Sequence, residues 1–413
     1  MSGKTLWLLL VSVTLLILSP AGGAASGYPP EPENDVIMLF DPPPSSVPAG
    51  SFHKNKTNRN ISVTADAAVV MDADTGQLLY AKNHLQPRPI ASTTKIMTAL
   101  LAIELGDLKQ VVTVTPRAAR VEGSSIYLKA GERLTLEELL YGALMRSGND
   151  ACVAIADHIA GREEIFVGWM NLKARMLGLK NTNFSNTNGL PHKEHLSSAY
   201  DLAVITRHAL KNPVFNSIVA SRKYSISSPV GQRRRLSNTN EMLWKYPGAD
   251  GVKTGTTNAA GRCLVSSASR EGRRLISVVL HSDDRYADSI KLLDYGFTGF
   301  RNRTVARSGE ELTSINVSDG VKNRVAVVFS EDIVVTVPSG ETGVVEKVVT
   351  LDHNVEAPVD PGLPVGRILV SVMGEPVAET GLITGERVER LPAYRLIMKR
   401  TASRLNNLKA VLH

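Results

Sequence analysis

Cysteine is nearly absent, with only Cys152 and Cys263 in 413 residues. Two thiols cannot form the disulfide framework of a stapled scaffold. Each sits in an apolar segment, so buried free thiols are the simple expectation, with a single bridge as the alternative. Aromatic residues make up only 5% of the chain. There is no zinc-finger spacing and no Gly-Lys-Ser/Thr phosphate loop, so nucleic acid is not the expected partner despite a formal net charge of +7. The helical His-Glu-x-x-His spacing of a metallopeptidase is missing too. His192, Glu194 and His195 cluster in a loop with different spacing, and no metal site is expected from them. Near the N-terminus the apolar run from Leu6 to Leu18 is short of the roughly 20 residues that span a bilayer. No internal repeat occurs, and no acidic residue follows Glu389.

That short run is flanked by Lys4 on one side and by Pro20 and the small residues Ala21 to Ala25 on the other. Charge, apolar stretch and small-residue exit together predict a signal peptide over residues 1–25, cleaved near Ala24 or Ala25; an uncleaved anchor is the alternative. No Cys follows the run, which excludes a lipoprotein. The protein is expected to work outside the cytoplasm, on the outer face of a membrane or secreted. Residues 26–60 are Pro-rich and polar, with Tyr28-Pro29-Pro30 and Asp41-Pro42-Pro43-Pro44, and read as an extended linker. The apolar patch Val36 to Phe40 inside it has no explanation.

From Ile61 to Phe300 the pattern is strand, helices, strand. Ala67–Met71 and Gln77–Tyr80 read as a hairpin around Asp74-Thr75-Gly76. Helices are predicted over Ser92–Glu104, Leu134–Met145, Ala151–Ile159, Phe166–Leu177 and Ser198–Leu210. Strands return at Gly251–Thr254, Arg262–Ala268 and Leu275–His281, and Asp288–Phe297 reads as a closing helix. This α+β order predicts one mixed sheet covered by helices over residues 61–300. Residues 301–391 are short β-type runs such as Val325–Phe329, Ile333–Val337, Val344–Leu351 and Ile368–Met373, predicting a small all-β domain. Residues 392–413 change again. Leu396, Ile397, Leu405, Leu408, Val411 and Leu412 recur at helical spacing among Arg395, Lys399, Arg400, Arg404 and Lys409. A basic amphipathic helix of this kind suits an anionic membrane surface; a helix packed on its own domain or a frayed tail is the plain alternative.

Three motifs stand in order inside the first domain: Ser92-Thr93-Thr94-Lys95, Ser147-Gly148-Asn149 and Lys253-Thr254-Gly255. Each alone is weak. Ser51-Phe52-His53-Lys54 and Ser314-Ile315-Asn316 match the first two elsewhere. Ser92 at a helix start is an ordinary N-cap, but a cap has no use for Lys95 three residues on, on the same helix face. A lysine at the positive end of a helix, with burial and Lys253 near it, is pushed toward the neutral amine. A neutral amine can take the proton of Ser92 and activate it as a nucleophile. Ser147 is a candidate proton relay to a leaving nitrogen, and the Asn149 amide a holder of a substrate carbonyl and of Lys95; the plain reading is a turn. Lys253 and Thr254 suit a substrate carboxylate, and Gly255 permits close backbone approach. The N–H groups of Thr256 and Ser92 suit an oxyanion hole.

With these motifs the chain resembles the serine D-alanyl-D-alanine carboxypeptidases, the low-molecular-mass penicillin-binding proteins, for which such a motif set is a general signature. The likeness extends to Asp150-Ala151-Cys152, Asn181-Thr182-Asn183-Phe184, Gly189-Leu190 and Gly251-Val252. It covers about Ile61 to Phe300 well, and the β domain and tail less specifically; the Pro-rich 26–60 stretch departs from the usual pattern. The resemblance implies a DD-peptidase/β-lactamase-like fold, mostly antiparallel sheet flanked by helices. It also implies removal of the terminal D-alanine from peptidoglycan stem pentapeptides through an acyl-enzyme on Ser92, inhibition by β-lactam antibiotics, and no cofactor. A β-lactamase shares the motifs but needs a water-activating acid. Between the second and third motifs, Asn186 to Tyr200 holds only Glu194, without the Glu-x-x-Leu-Asn pattern. A transpeptidase would carry similar motifs, usually on a larger multidomain chain. A non-catalytic wall-binding or penicillin-sensing protein would have no need of an intact Ser92, Lys95 and Ser147.

Overall fold

A computed structural model describes residues 61–227, 233–399 and 401. The expected signal peptide, the linker with its Val36–Phe40 patch and most of the basic tail lie outside the described residues.

Strand β1 (Ala67–Asp72) is buried at all six positions. Its AAVVMD sequence, without polar alternation, suits a strand covered on both faces. Gly76, with φ +75°, makes the turn into β2 (Leu78–Lys82). A 3-10 turn, Ala91–Thr94, runs directly into α1 (Lys95–Leu105). A short hairpin of β3 (Val111–Thr113) and β4 (Arg133–Thr135) follows. Next come α2 (Leu136–Met145), opened by a Thr135–Glu138 capping box, α3 (Asn149–Ala160) and α4 (Glu163–Met176). Beyond an irregular stretch stand α5 (Ala199–Ala209) and α6 (Pro213–Ala220). The β5 (Lys223–Ser227) and β6 (Arg233–Ser237) hairpin and α7 (Met242–Lys245) lead into β7 (Ala249–Thr257), β8 (Gly261–Arg270) and β9 (Arg273–Ser282). Helix α8 (Arg285–Gly299) closes the domain.

The five-stranded sheet has the order β2-β1-β9-β8-β7, and every neighbouring pair is antiparallel. The mixed sheet expected from element order is therefore corrected to an antiparallel one, in agreement with the mostly antiparallel sheet that the resemblance implied. The chain closes β1–β2 and β7–β8–β9 as hairpins, and the long helical excursion re-enters the sheet at the far edge, so no parallel crossover arises. Helix α8 covers one face through Leu292 and Leu293 against Val70, Leu79, Leu264 and Val279. Helix α5 packs on β1 and β9 as part of the helical layer with α1 and α3. Strand β7 is left at the sheet edge, facing the 3-10 turn.

The second domain is all-β, built of β10 (Phe300–Ala306), β11 (Glu311–Ser318), β12 (Arg324–Phe329), β13 (Ile333–Pro338), β14 (Val345–Leu351), β15 (Asn354–Glu356), β16 (Pro364–Val372) and β17 (Glu375–Thr384). Strands β10 and β13 form a ladder, and the others a sheet of order β14-β16-β17-β12-β11-β15. Its core is mostly Val and Ile, including Val327, Val335, Ile368 and Val370, the β-branched composition that marked it in the sequence. Gln77 joins the two domains by a peptide-like pair of bonds. Its Nε2 donates to Thr336 O at 3.1 Å and its Oε1 accepts from Thr336 N at 2.6 Å. Residues 393–399 are helical, with Tyr394, Ile397 and Met398 exposed.

Candidate active site

The expected helix over Ser92–Glu104 begins instead as a tight turn, and this decides what Ser92 does. Thr93 Oγ1 and Thr94 Oγ1 donate back to Ile90 O and Ala91 O at 2.7 and 2.8 Å. Ser92 is in the middle of the turn and caps nothing. Ala91 adopts φ +48°, a left-handed conformation that a residue with a Cβ rarely takes without support. Lys95 follows at the first position of α1, fully buried. Its Nζ lies 2.8 Å from Asn149 Oδ1, 2.6 Å from Asn188 O and 3.1 Å from Ser92 Oγ. Burial pushes this amine down to about 8, with Cys152 and Asp150 opposing. Desolvation rather than Lys253 is the cause. The influence runs the other way, since Lys253 is held well below its ordinary value by burial and then by Lys95.

Two of the three contacts of Lys95 are to oxygens that can only accept. A neutral amine keeps two N–H donors for them and turns its lone pair to the third partner, Ser92 Oγ. The geometry thus suits proton transfer from the hydroxyl to the amine.

The second motif ends α2 and opens α3. Ser147 adopts φ +62° and is 8% exposed. Asn149 gives its carbonyl to Lys95 and one amide hydrogen to Glu122 O at 2.6 Å, leaving its second hydrogen for another acceptor. Asp150, not singled out as a site residue, fastens the opposite wall. Its carboxylate accepts from Ser125 Oγ at 2.6 Å and from the N–H groups of Ile126 and Leu128 at 3.1 and 3.0 Å.

Edge strand β7 supplies the third motif. Lys253 is 1% exposed and donates to Thr254 O at 2.8 Å. Thr254 Oγ1 lies 3.0 Å from Thr239 Oγ1. Gly255 lies so close to the turn that a Cβ would stand 3.0 Å from both Ile90 O and Ser92 N and would push them back by a few tenths of an ångström. Arg285, at the start of α8, reaches Gly255 O at 3.0 Å and Thr256 Oγ1 at 2.9 Å. It adds a guanidinium beside β7 that the motifs did not signal, because it comes from a helix 30 residues on.

The loop 186–190 entered the sequence reading through Gly189-Leu190, with no role given to its asparagines. Its Asn186 Oδ1 accepts from Gly189 N at 2.7 Å, and Asn188 Oδ1 from Leu190 N at 3.0 Å, which aims Asn188 O at Lys95. Gly189, with φ +90°, presses so closely on the turn that a Cβ would lie 1.9 Å from Ala91 O. Nearby, His195 is buried, with both ring nitrogens in use. Nδ1 accepts from Ser185 N at 2.9 Å, which leaves Nε2 to donate to Thr94 Oγ1 at 2.7 Å. Burial lowers it to about 4, so it stands neutral behind the Ala91–Thr94 turn. Cys152 and Cys263 are buried free thiols. Ser314 and Asn316, the decoy match, lie on β11 in the second domain.

The structure brings Ser92, Lys95, Asn149, Gly255 and Arg285 around one edge of the sheet, with Ser147 beside Asn149. A family model described as D-alanyl-D-alanine carboxypeptidase matches residues 53–284, over half the chain. The chain belongs to the D-alanyl-D-alanine carboxypeptidase family. The serine-type carboxypeptidase activity expected from the motifs is the family's, and its fold is the one described above. A second model, penicillin-binding protein 5, C-terminal domain, matches residues 300–390. Among relatives, the D-alanyl-D-alanine carboxypeptidase DacF of Bacillus subtilis is 34% identical over 374 residues, 88% of this chain and 95% of that protein. DacC of Escherichia coli is 34% identical, covering 82% and 88%. Penicillin-binding protein 5 from Haemophilus influenzae superposes with a TM-score of 0.71 at 32% identity, over 80% of this chain and 99% of that one. The Streptomyces K15 DD-transpeptidase, with a TM-score of 0.55 and 34% identity, covers 57% of this chain and 98% of its own.

Gly189→Ala tests the close packing behind the Ala91–Thr94 turn. The added methyl must displace Ala91, so acylation by benzylpenicillin is expected to slow by about a hundredfold. A variant acylated at the parent rate contradicts that account.

Proposed function

We propose that Ser92 is the nucleophile of this carboxypeptidase and Lys95 its general base. The observation that carries the reading is the buried Lys95 amine, anchored by Asn149 and Asn188 and 3.1 Å from the hydroxyl. Ser92 Oγ attacks the carbonyl between the two terminal D-alanines of a peptidoglycan stem pentapeptide as its proton passes to Lys95 Nζ. The oxyanion faces the N–H groups of Ser92 and Thr256, and the close approach of Gly255 to the turn supports that pairing. The proton then travels through Ser147 to the leaving nitrogen. D-Alanine departs, and water releases the shortened peptide from the ester on Ser92. Lys253, Thr254 and Arg285 hold the terminal carboxylate, and the free Asn149 hydrogen holds a substrate carbonyl. A β-lactam acylates the same hydroxyl. Against a β-lactamase stands the loop between the second and third motifs, whose one acid, Glu194, is a largely exposed side chain beside Lys193.

Residues 1–25 then serve as an export signal and 26–60 as a tether. Residues 61–300 are the catalytic domain, 301–391 a small β domain, and 392–413 a peripheral anchor on the anionic outer face of the cytoplasmic membrane. The exposed Tyr394, Ile397 and Met398 beside Arg395 and Lys399 support the anchor. No helix among the described residues is long and apolar enough to cross a membrane.

Intact mass after benzylpenicillin treatment, read beside D-alanine release from a pentapeptide, tests the nucleophile. Parent protein should gain a stable adduct and release D-alanine, and Ser92→Ala should do neither. An adduct that survives Ser92→Ala refutes the assignment, while an adduct without D-alanine release favours transpeptidation or sensing. For the anchor, removal of residues 394–413 is expected to free the protein from anionic vesicles. Equal retention of the truncated and full-length forms would contradict it.

A further inference from the structure

The hairpin of β5 and β6 takes no part in the reaction above, yet it is fastened to the wall of the site. Its inner face carries Tyr224, Ile226, Arg234 and Leu236, which are buried or half-buried. Tyr224 stacks on Tyr141 of α2 with ring centroids 3.5 Å apart. Arg234 donates to Ile126 O at 2.7 Å, to Tyr127 O at 2.9 Å and to Glu132 Oε2 at 2.8 Å. The same wall holds the second motif, since Ser124 O accepts from Asn149 N at 2.7 Å. Just past β6, Thr239 Oγ1 lies 3.0 Å from Thr254 Oγ1 of β7. The hairpin is thus tied to the site twice, through the wall beside Asn149 and through Thr254.

Its outer face is of another kind. Strand alternation turns Lys223, Arg233 and Arg235 to the side opposite Arg234, and all three are exposed. The register sets a serine across from each: Ser237 from Lys223, Ser227 from Arg233 and Ser225 from Arg235. Among the described residues, Arg234 is the one cation of these two strands with a carboxylate partner. Glu138 meets the hairpin at Ser227 N, 3.2 Å from its Oε1, while its Oε2 closes the capping box with Thr135. Like charges gathered on one face repel and cost stability. A single cation would suffice to keep a two-stranded ribbon from pairing with another. Three of them, each facing only a small hydroxyl, make a surface whose complement is a set of carboxylates.

We propose that the outer face of this hairpin is an exosite for polymeric peptidoglycan, its cations holding the carboxylates of stem peptides next to the one in the site. The charge complementarity is that of the reaction's own substrate. Every uncleaved stem ends in the carboxylate that Lys253, Thr254 and Arg285 receive, and one glycan strand presents many stems side by side. Holding a neighbour raises the local concentration of stems at Ser92 with no new contact to the scissile bond. The inference rests on the proposed carboxypeptidase reaction at Ser92.

The test sets D-alanine release from insoluble pentapeptide-bearing peptidoglycan, stripped of attached phosphate polymers, against release from the free pentapeptide. The full-length triple variant Lys223→Glu, Arg233→Glu, Arg235→Glu should lose about tenfold in kcat/KM per stem on the polymer, the product of three exposed charge pairs at roughly twofold each. On the free peptide it should stay within about twofold of the parent, as surface substitutions do. The charge-keeping variant Lys223→Arg, Arg233→Lys, Arg235→Lys should match the parent on both. Salt near about 1 M, where the screening length is about 3 Å, should slow the parent on the polymer and not on the free peptide. Cosedimentation with the same peptidoglycan, each protein carrying Ser92→Ala, should show the loss of binding without turnover. Polymer turnover and sedimentation unmoved by charge reversal would overturn the exosite. So would an equal loss on both substrates, the mark of a disturbed wall, or a loss of binding to anionic vesicles with none to peptidoglycan. No D-alanine from either substrate would overturn the Ser92 reaction, and sedimentation would still decide the exosite.

Discussion

The site is organised around one desolvated amine. Lys95 is fully buried, and burial brings it down to about 8 against two nearby groups that oppose the shift. A charged ammonium in that position would need every hydrogen satisfied, and a neutral one needs two acceptors and one donor. Asn149 and Asn188 are the acceptors, and the Ser92 hydroxyl is the donor. Each comes from a different part of the chain: the turn before α1, the start of α3 and the loop after α4. The sheet and its helical layer therefore have to be assembled before the amine has its partners.

Close approach of backbones does the rest. Gly189 lies against Ala91 at a separation that no side chain would allow, and Gly255 of β7 comes close enough to Ser92 that a side chain would crowd the turn. Ala91 and Ser147, the residues at the two turns, both sit at positive φ. Strained turns of this sort persist where the surroundings hold them. Here the holders are the bonds from Thr94 Oγ1 to Ala91 O and from the 125–128 wall to the Asp150 carboxylate, with neutral His195 behind Thr94.

Much of this was legible in the sequence. The i, i+3 spacing of Ser92 and Lys95 put the two side chains within reach of each other, although Ser92 stands in a 3-10 turn rather than on the helix. The apolar periodicity located the main helices to within a few residues, and the run of Val and Ile marked the second domain. What stayed hidden was long-range or weakly patterned. Asn188 contributes a backbone carbonyl, which carries no side-chain signature. Arg285 reaches the site from a helix that reads as ordinary surface. The antiparallel order of the sheet, which the family resemblance implied, depends on where the chain re-enters after the helices and is not encoded in local pattern. The β5–β6 hairpin is Arg-rich with one buried position per strand, too little apolar alternation to be read as strand.

The central claim, that burial alone readies Lys95 to receive a proton, can be read on the amine itself. The nitrogen or ε-carbon chemical shift of Lys95, assigned by comparison with Lys95→Arg in lysine-labelled protein, should be followed between pH 6 and 11. Because the folded value is lowered, the amine should lose its proton as pH rises through about 8, and acylation of Ser92 should speed up over the same window. An ammonium that titrates near the ordinary lysine value of about 10.4, with acylation already at its maximum by pH 8, would contradict the account.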